Sequence, residues 1–288
     1  MKYWLFCLTG FSIFGFSCCV PDEEGNPIDQ GDNLEVVIPA TGFSTPKVYD
    51  GMTLVWEDDF EGNSLDLDSW SHETGNGQNG WGNNELQYYR SQNTSFKAGN
   101  LIITAKKEDF GGKNYTSSRI VTKDKKQFRY GRIDIRAVLP KGQGIWPALW
   151  MLGSNFNTEG WPASGEIDIM EMVGGNGREN TVHGTVHWEH DGSHAEFGGS
   201  YKLQSGTFSD EFHVFSIVWD SQAIRWLVDN KEYHVIDTTP AQLDEFRKSF
   251  FFIFNVAVGG NWPGSPDAST SFPQHMIVDY VRVFQSDN

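Results

Sequence analysis

The sequence predicts an all-β sandwich or barrel in one main domain, on three observations. From residue 47 onward apolar residues alternate with a period of two, glycine-rich turns separate the alternating runs, and helical periodicity is scarce. Five runs read as strands: GRIDIRAVL (131–139), FHVFSIVWD (212–220), AIRWLVD (223–229), FFFIFNVAV (250–258) and MIVDYVRVF (276–284). Asp229-Asn230-Lys231 joins two of them with hairpin chemistry. Only TPAQLDEFRK (239–248) reads as a short helix, with Pro240 just inside its start.

Composition narrows the function. The 288 residues carry 22 Lys plus Arg against 38 Asp plus Glu, a formal charge of −16, which excludes a phosphate-wrapping nucleic-acid binder. Aromatic residues make up 14%, with 11 Trp, enough to supply both a core and a surface on which flat, partly apolar ligands such as sugars stack.

The first residues read as an export signal. Lys2 precedes an uncharged run from Tyr3 to Val20 that is barely long enough to span a bilayer. All three cysteines, Cys7, Cys18 and Cys19, fall inside it. The Ser17-Cys18 ending resembles a bacterial lipoprotein signal, with Cys18, or alternatively Cys19, as the lipidated residue; Gly15 and Phe16 depart from the usual pattern, and plain secretion is the alternative. Residues 19–46 hold six acids, no base and four prolines, a composition expected to form a disordered tether. Removing those six acids and Lys2 from the total leaves −11 for residues 47–288, the expected catalytic domain.

The segment Ser164 to Gly174 (SGEIDIMEMVG) carries the chemistry. Alternation places Glu166 and Asp168 on one face and Ile167 and Ile169 on the other. Continued strictly, it would bury Glu171 among the isoleucines, at a cost of about several kcal/mol or a retained proton. A β-bulge near Met170 removes the conflict by turning Glu171 onto the face of the other two acids. Mutual repulsion then spreads the three pKa values, as separate acid and nucleophile roles require. A solvated face or a calcium site would also accommodate three acids. Trp146, Trp150 and Trp161 nearby argue against ordinary wet surface, and a strand offers calcium no carbonyl-lined loop. Paired carboxylates beside aromatic platforms are what glycosidic cleavage requires.

GEIDIMEMVG (165–174) resembles the signature of family-16 glycoside hydrolases in the bulged form found in laminarinases. The resemblance extends over most of residues 50–285, through WGNNELQYY (81–89), YTSSRI (115–120), GIWPALWML (144–152), VHGTVHW (182–188) and GGNWPG (259–264). It implies a concanavalin-like jelly-roll sandwich of two antiparallel sheets with a concave cleft, and a retaining double displacement. Glu166 matches the nucleophile, Glu171 the acid/base, and Asp168 the helper between them.

Around the cleft, Trp146 and Trp150 stand four apart, hence on one face of a strand, and either stack sugars or pack in the core. The resemblance places sugar contacts at Asn83 and Arg119, which by themselves read as turn chemistry and a surface charge. Trp262 is a loop aromatic beside Gly259-Gly260, a setting that favours a ligand platform. His183 and His187 have a zinc-like spacing on a helix, but their surroundings read as strand; His187 is expected to bond substrate or Glu171. Asp279 shares a strand face with Ile277, Val281 and Val283 and so needs a buried partner, a backbone N–H or an Arg. The resemblance suggests instead a structural calcium held by Asp59, the Gly99 carbonyl and Asp279.

The expected activity is endo-hydrolysis of β-1,3-glucosidic bonds in laminarin-type glucans by a monomer, exported and held at the cell envelope by its lipid, with no catalytic cofactor. The alternatives are a mixed-linkage β-1,3-1,4-glucanase and a glycan-binding lipoprotein that has lost catalysis. Sulfated polymers fit the acidic domain poorly.

Overall fold

The computed structural model describes residues 36–287. The expected export signal with Cys18 and Cys19, and most of the expected acidic tether, lie outside them. From Val37 onward the chain is a single compact unit.

In chain order the strands are β1 (Met52–Asp58), β2 (Ser71–Glu73), β3 (Gln87–Tyr89), β4 (Thr94–Phe96), β5 (Leu101–Ala105) and β6 (Tyr115–Ser117). There follow β7 (Arg119–Val121), β8 (Gly131–Val138), β9 (Ile145–Gly153), β10 (Glu166–Glu171), β11 (Thr181–His190) and β12 (Ser193–Lys202). The last are β13 (His213–Trp219), β14 (Ala223–Val228), β15 (Lys231–Asp237), β16 (Phe250–Val258) and β17 (Gln274–Ser286). They form two large antiparallel sheets. One runs β15-β14-β13-β8-β17-β5-β4 with β1 also on β17; the other runs β12-β11-β10-β9-β16-β7-β2. β3 and β6 pair in parallel apart from both.

The core fills the space between the sheets. Trp219, Trp226 and Phe215 come from one side, and Phe250, Phe252 and Phe254 from the other, all fully buried. Every residue of β16 is buried. Its even-numbered side chains enter that core, while Phe251 and Ile253 pack with Val121 and Leu152 on the opposite face, under Trp150 and Phe156. A strand covered on both faces reads as the continuous apolar run seen in the sequence.

The expected hairpin is present: Asp229 and Asn230 take φ of 51° and 62° between β14 and β15, the signature of a type I′ turn. The expected helix is instead a 3₁₀ segment, Ala241–Arg247, with Pro240 just outside it and a kink at Leu243. Burying Leu243 and Phe246 three residues apart suits the three-residue turn, in which i and i+3 eclipse.

Two expectations are corrected. The end of the acidic segment is docked rather than disordered: Phe43 N–H donates to the Phe212 carbonyl (2.8 Å), and Arg282 donates to the Thr45 carbonyl (3.0 Å). At Gly42, with φ of 129°, a Cβ would stand 2.2 Å from the Phe212 carbonyl oxygen, so the contact requires glycine. Charge averaged over residues 19–46 hides this uncharged docking stretch. Asp279 is also not on the buried face, because a register shift between Val278 and Tyr280 turns it outward. There it pairs with Arg136 at 2.7 Å, the arginine partner that was one of the expectations.

Candidate active site

The bulge expected on the carboxylate strand is present. On β9, Trp150 faces Asp168 but Leu149 already faces Met170, so Ile169 is the extra residue. Ile169 and Met170 both enter the core, and Glu171 thereby returns to the side of Glu166 and Asp168. All three acids line one cleft of about 1240 Å³ over the outer face of the β10 sheet.

Bulging removes carbonyls from the strand ladder, and each one buried needs a donor. Trp226, fully buried on β14 of the opposite sheet, reaches through the core and donates its indole N–H to the Asp168 carbonyl at 2.7 Å. It fits because Gly184 lies above it: a Cβ there would stand 2.3 Å from Trp226 Cδ1 and 2.5 Å from the Tyr233 hydroxyl.

Each carboxylate has its own partner. Trp161 donates its indole N–H to Glu166 Oε2 (3.0 Å), and Trp146 donates to Glu171 Oε1 (2.9 Å). His187 Nε2 lies 3.1 Å from Asp168 Oδ2 and 3.8 Å from Glu166 Oε1. The contact with Asp168 is close but not aligned for a hydrogen bond, since Oδ2 has no hydrogen-bond partner. The expectation that His187 meets Glu171 is corrected by register: β11 sets His187 opposite Glu166, and His183 opposite Glu171.

Burial and crowding raise the proton affinity of all three acids. Glu166 is pushed up to about 8, mainly by burial and then by Asp168, with His187 and the Trp161 N–H pulling the other way. Asp168 is pushed up to about 8 by burial and by Glu196, against a hydrogen bond with Glu166. Glu171 is held well above the usual carboxylate range by burial first and by Asp168 second. The cluster therefore holds protons more tightly than free carboxylates do, which favours a general acid at neutral pH.

The other predicted cleft residues all line the same space. Trp150 donates to Asn255 Oδ1 (2.8 Å). From there a buried chain runs through Tyr89 to Glu85, which also accepts from Asn83 (3.3 Å). Arg119 is not a surface charge: it is 9% exposed, donates to Glu73 at 2.5 Å and stacks over Trp81 and Trp150. The Trp262 ring stands at 88° to Trp146 with centroids 5.6 Å apart, and remains 42% exposed. Sequence reasoning missed Asn255, Glu85 and Glu73, polar residues within strands or loops whose partners are distant in sequence. It also missed His194 and Glu196 on β12, where adjacent glycines obscure the alternation.

The residues named for calcium lie on the other sheet. β1 and β5 follow one another along the same edge of β17, with Asp58 opposite Val281 and Leu101 opposite Val278. Asp59 and the Gly99 backbone thus reach the junction near Tyr280 and Asp279. One oxygen of Asp279 is bound there by Arg136, and a Cβ at Gly99 would stand 2.8 Å from Glu61 Oε1.

Comparison with known proteins agrees with this geometry. The family model for glycosyl hydrolases family 16 matches residues 80–282. The chain is 42% identical to a beta-glucanase of Rhodothermus marinus, over 81% of this chain and 85% of that one. It is 43% identical to the clotting factor G alpha subunit of Tachypleus tridentatus, again over 81% of this chain but spanning only 34% of that subunit. The laminarinase catalytic domain of Thermotoga maritima MSB8 superposes with a TM-score of 0.78 at 46% identity, covering 83% of this chain and all of that one. A bulged strand of three acids, set in a two-sheet antiparallel sandwich and matched by the family model, places the chain in glycosyl hydrolases family 16.

Proposed function

We propose that this protein cleaves internal β-1,3-glucosidic bonds of laminarin-type glucans with retention of configuration. The observation that carries the reading is the bulge at Ile169, which sets Glu166, Asp168 and Glu171 on one face of the cleft. Glu166 attacks the anomeric carbon while Glu171 gives its proton to the leaving oxygen; Glu171 then takes a proton from the water that releases the glycosyl-enzyme. The raised proton affinity of Glu171 supports its role as acid, and the Trp161 N–H and His187 partly offset the burial that raises Glu166. Asp168 sits between them, its charge acting on both.

Linkage is read from the aromatic platforms. A β-1,3-glucan curves, so successive rings present different faces, whereas a β-1,4 run lies flat. The near-perpendicular Trp146 and Trp262 rings suit the curved chain. Initial rates on laminarin, barley mixed-linkage glucan and carboxymethyl cellulose test this, with laminarin expected fastest; faster hydrolysis of barley glucan overturns the linkage. Proton NMR of the first product tests the chemistry: the β-anomer is expected, and an initial α-anomer sinks retention.

Two subsidiary proposals follow. Lipid attachment at Cys18, or alternatively Cys19, would hold the exported enzyme at the cell envelope through the acidic segment. Labelled palmitate should mark the wild type and spare a variant lacking both cysteines. Calcium at Asp59, the Gly99 carbonyl and Asp279 is supported by the meeting of β1 and β5 beside β17. Such an ion would be structural, and removing it with a chelator should lower the melting temperature with recovery on adding calcium.

A further inference from the structure

The β11–β12 hairpin brings a second constellation into the cleft wall. β12 sets Glu196 directly opposite His187, and His194 opposite Glu189, two residues further along β11. Side chains two apart share a face of a strand. The register therefore turns His187, His194 and Glu196 toward one another. His187 Nδ1 lies 2.9 Å from His194 Nε2 and 3.5 Å from Glu196 Oε2, and the last two atoms are 4.0 Å apart.

We infer that His187, His194 and Glu196 form a binding site for a borderline divalent transition metal, zinc or copper, whose occupancy reversibly blocks the cleft. Two imidazoles and a carboxylate are a donor set that such ions favour and that calcium and magnesium do not. Ligands at about 2.0–2.2 Å from a tetrahedral zinc stand roughly 3.3 Å apart. The three separations here bracket that edge, so small side-chain rotations complete the triangle.

A second observation points the same way. Asp168 is 2% exposed, and its Oδ2 has no hydrogen-bond partner although His187 Nε2 lies 3.1 Å away. His187 Nδ1 and His194 Nε2 now share one hydrogen between them. A metal on His187 Nδ1 displaces that hydrogen and fixes the proton on Nε2, the nitrogen nearest Asp168. The resulting carboxylate–histidine–metal relay is how protein metal sites orient their imidazoles. The fourth position faces the cleft beside Trp161, whose ring lies 4.7 Å from that of His194. A bound ion therefore occupies sugar space one side chain away from Glu166. Sequence spacing hid this site, because His187 finds its partner across a hairpin and not at His183.

The test is zinc chloride added to the full chain. Binding is read by competition with a chromophoric chelator, as the difference between wild type and His194→Ala, so that zinc held by cysteines cancels. This arm is independent of the substrate proposed above. Inhibition is read on laminarin, each protein against its own metal-free rate. The expectation is competitive inhibition reversed by EDTA. His194→Ala and Glu196→Gln should each raise the inhibition constant at least about tenfold, in line with losses at metal sites, while their melting temperatures stay within a few degrees of wild type. Equal zinc binding by wild type and His194→Ala overturns the site. An inhibition constant unchanged in both variants, or inhibition unrelieved by substrate, also overturns it.

Discussion

Trp226→Phe separates the bulge from the rest of the core. Trp226 is fully buried and its indole N–H, 2.7 Å from the Asp168 carbonyl, is the donor that satisfies that oxygen across the core. Phenylalanine keeps one ring in place but offers no donor. Leaving a buried carbonyl unpaired costs about 1–3 kcal/mol. Losing the second ring removes a few buried carbons, roughly another 2 kcal/mol at about 0.8 kcal/mol each. The expected loss of about 3–5 kcal/mol lowers the melting temperature by roughly 6–20 °C, at about 2–4 °C per kcal/mol for a domain of this size. Activity should suffer separately. With its carbonyl released, the bulge relaxes toward regular pairing, which turns Glu171 away from Glu166. At 25 °C, kcat on laminarin should fall about ten- to a hundredfold with KM little changed. Trp219→Phe is the matched control: it also loses a buried indole donor, here to the Phe246 carbonyl (2.8 Å), on an element that carries no cleft acid. It should cost similar stability and leave kcat nearly intact. Equal kcat losses in the two variants, or none in either, would refute the reasoning.

Glu166→Gln tests the charge state. In the native protein Glu166 is pushed up to about 8, so between about 4.5 and 8 the folded chain keeps a proton that the unfolded chain releases. Its contribution is therefore fully present below 4.5 and is lost as pH rises through 8. The stability of Glu166→Gln relative to wild type should rise with pH across that window, by up to about 1.4 kcal/mol per unit, in urea melts at several pH values; parallel curves would count against it. Trp262→Ala removes a half-exposed platform. Its kcat/KM on laminarin should fall about five- to 150-fold, from roughly 1–3 kcal/mol of lost stacking, with the melting temperature within a few degrees of wild type; undiminished kcat/KM would exclude a substrate role.

What the sequence revealed and what it hid have a common physical origin. The Ile169 bulge was legible because strict alternation would have buried Glu171 among isoleucines, a conflict large enough to demand a change of register. The bulge beside Asp279 was not legible, since an aspartate flanked by apolar residues is equally compatible with a buried pair, and only the register against β8 decides. The 3₁₀ segment shared its apolar spacing with a helical turn until Leu243 and Phe246 were placed on the same core. Strands β8, β13, β14 and β17 were legible from period two, and β16 from its continuous apolar run. β12 was not, because SHAEFGGSYK interrupts alternation with Gly198-Gly199, and His194 and Glu196 were hidden with it. Cross-strand neighbours are set by register, which local pattern does not encode.

The cleft also explains why its carboxylates are met by tryptophan and histidine instead of arginine. The charges that act on Glu166, Asp168 and Glu171 are one another's, together with His187 and Glu196. A guanidinium beside Glu171 would hold its pKa down and remove the proton that the leaving oxygen needs. Arg119 reaches the same cleft, yet its Nε is committed to Glu73, and Glu85 lies beyond it within range of its charge. An indole N–H orients a carboxyl oxygen without supplying a full charge, so proton affinity stays high. The same ring offers an apolar face on which a sugar can stack. Trp146 and Trp161 combine both properties at the two glutamates of the proposed displacement, so an enzyme that must keep one acid protonated places its sugar platforms and its hydrogen-bond donors in the same residues.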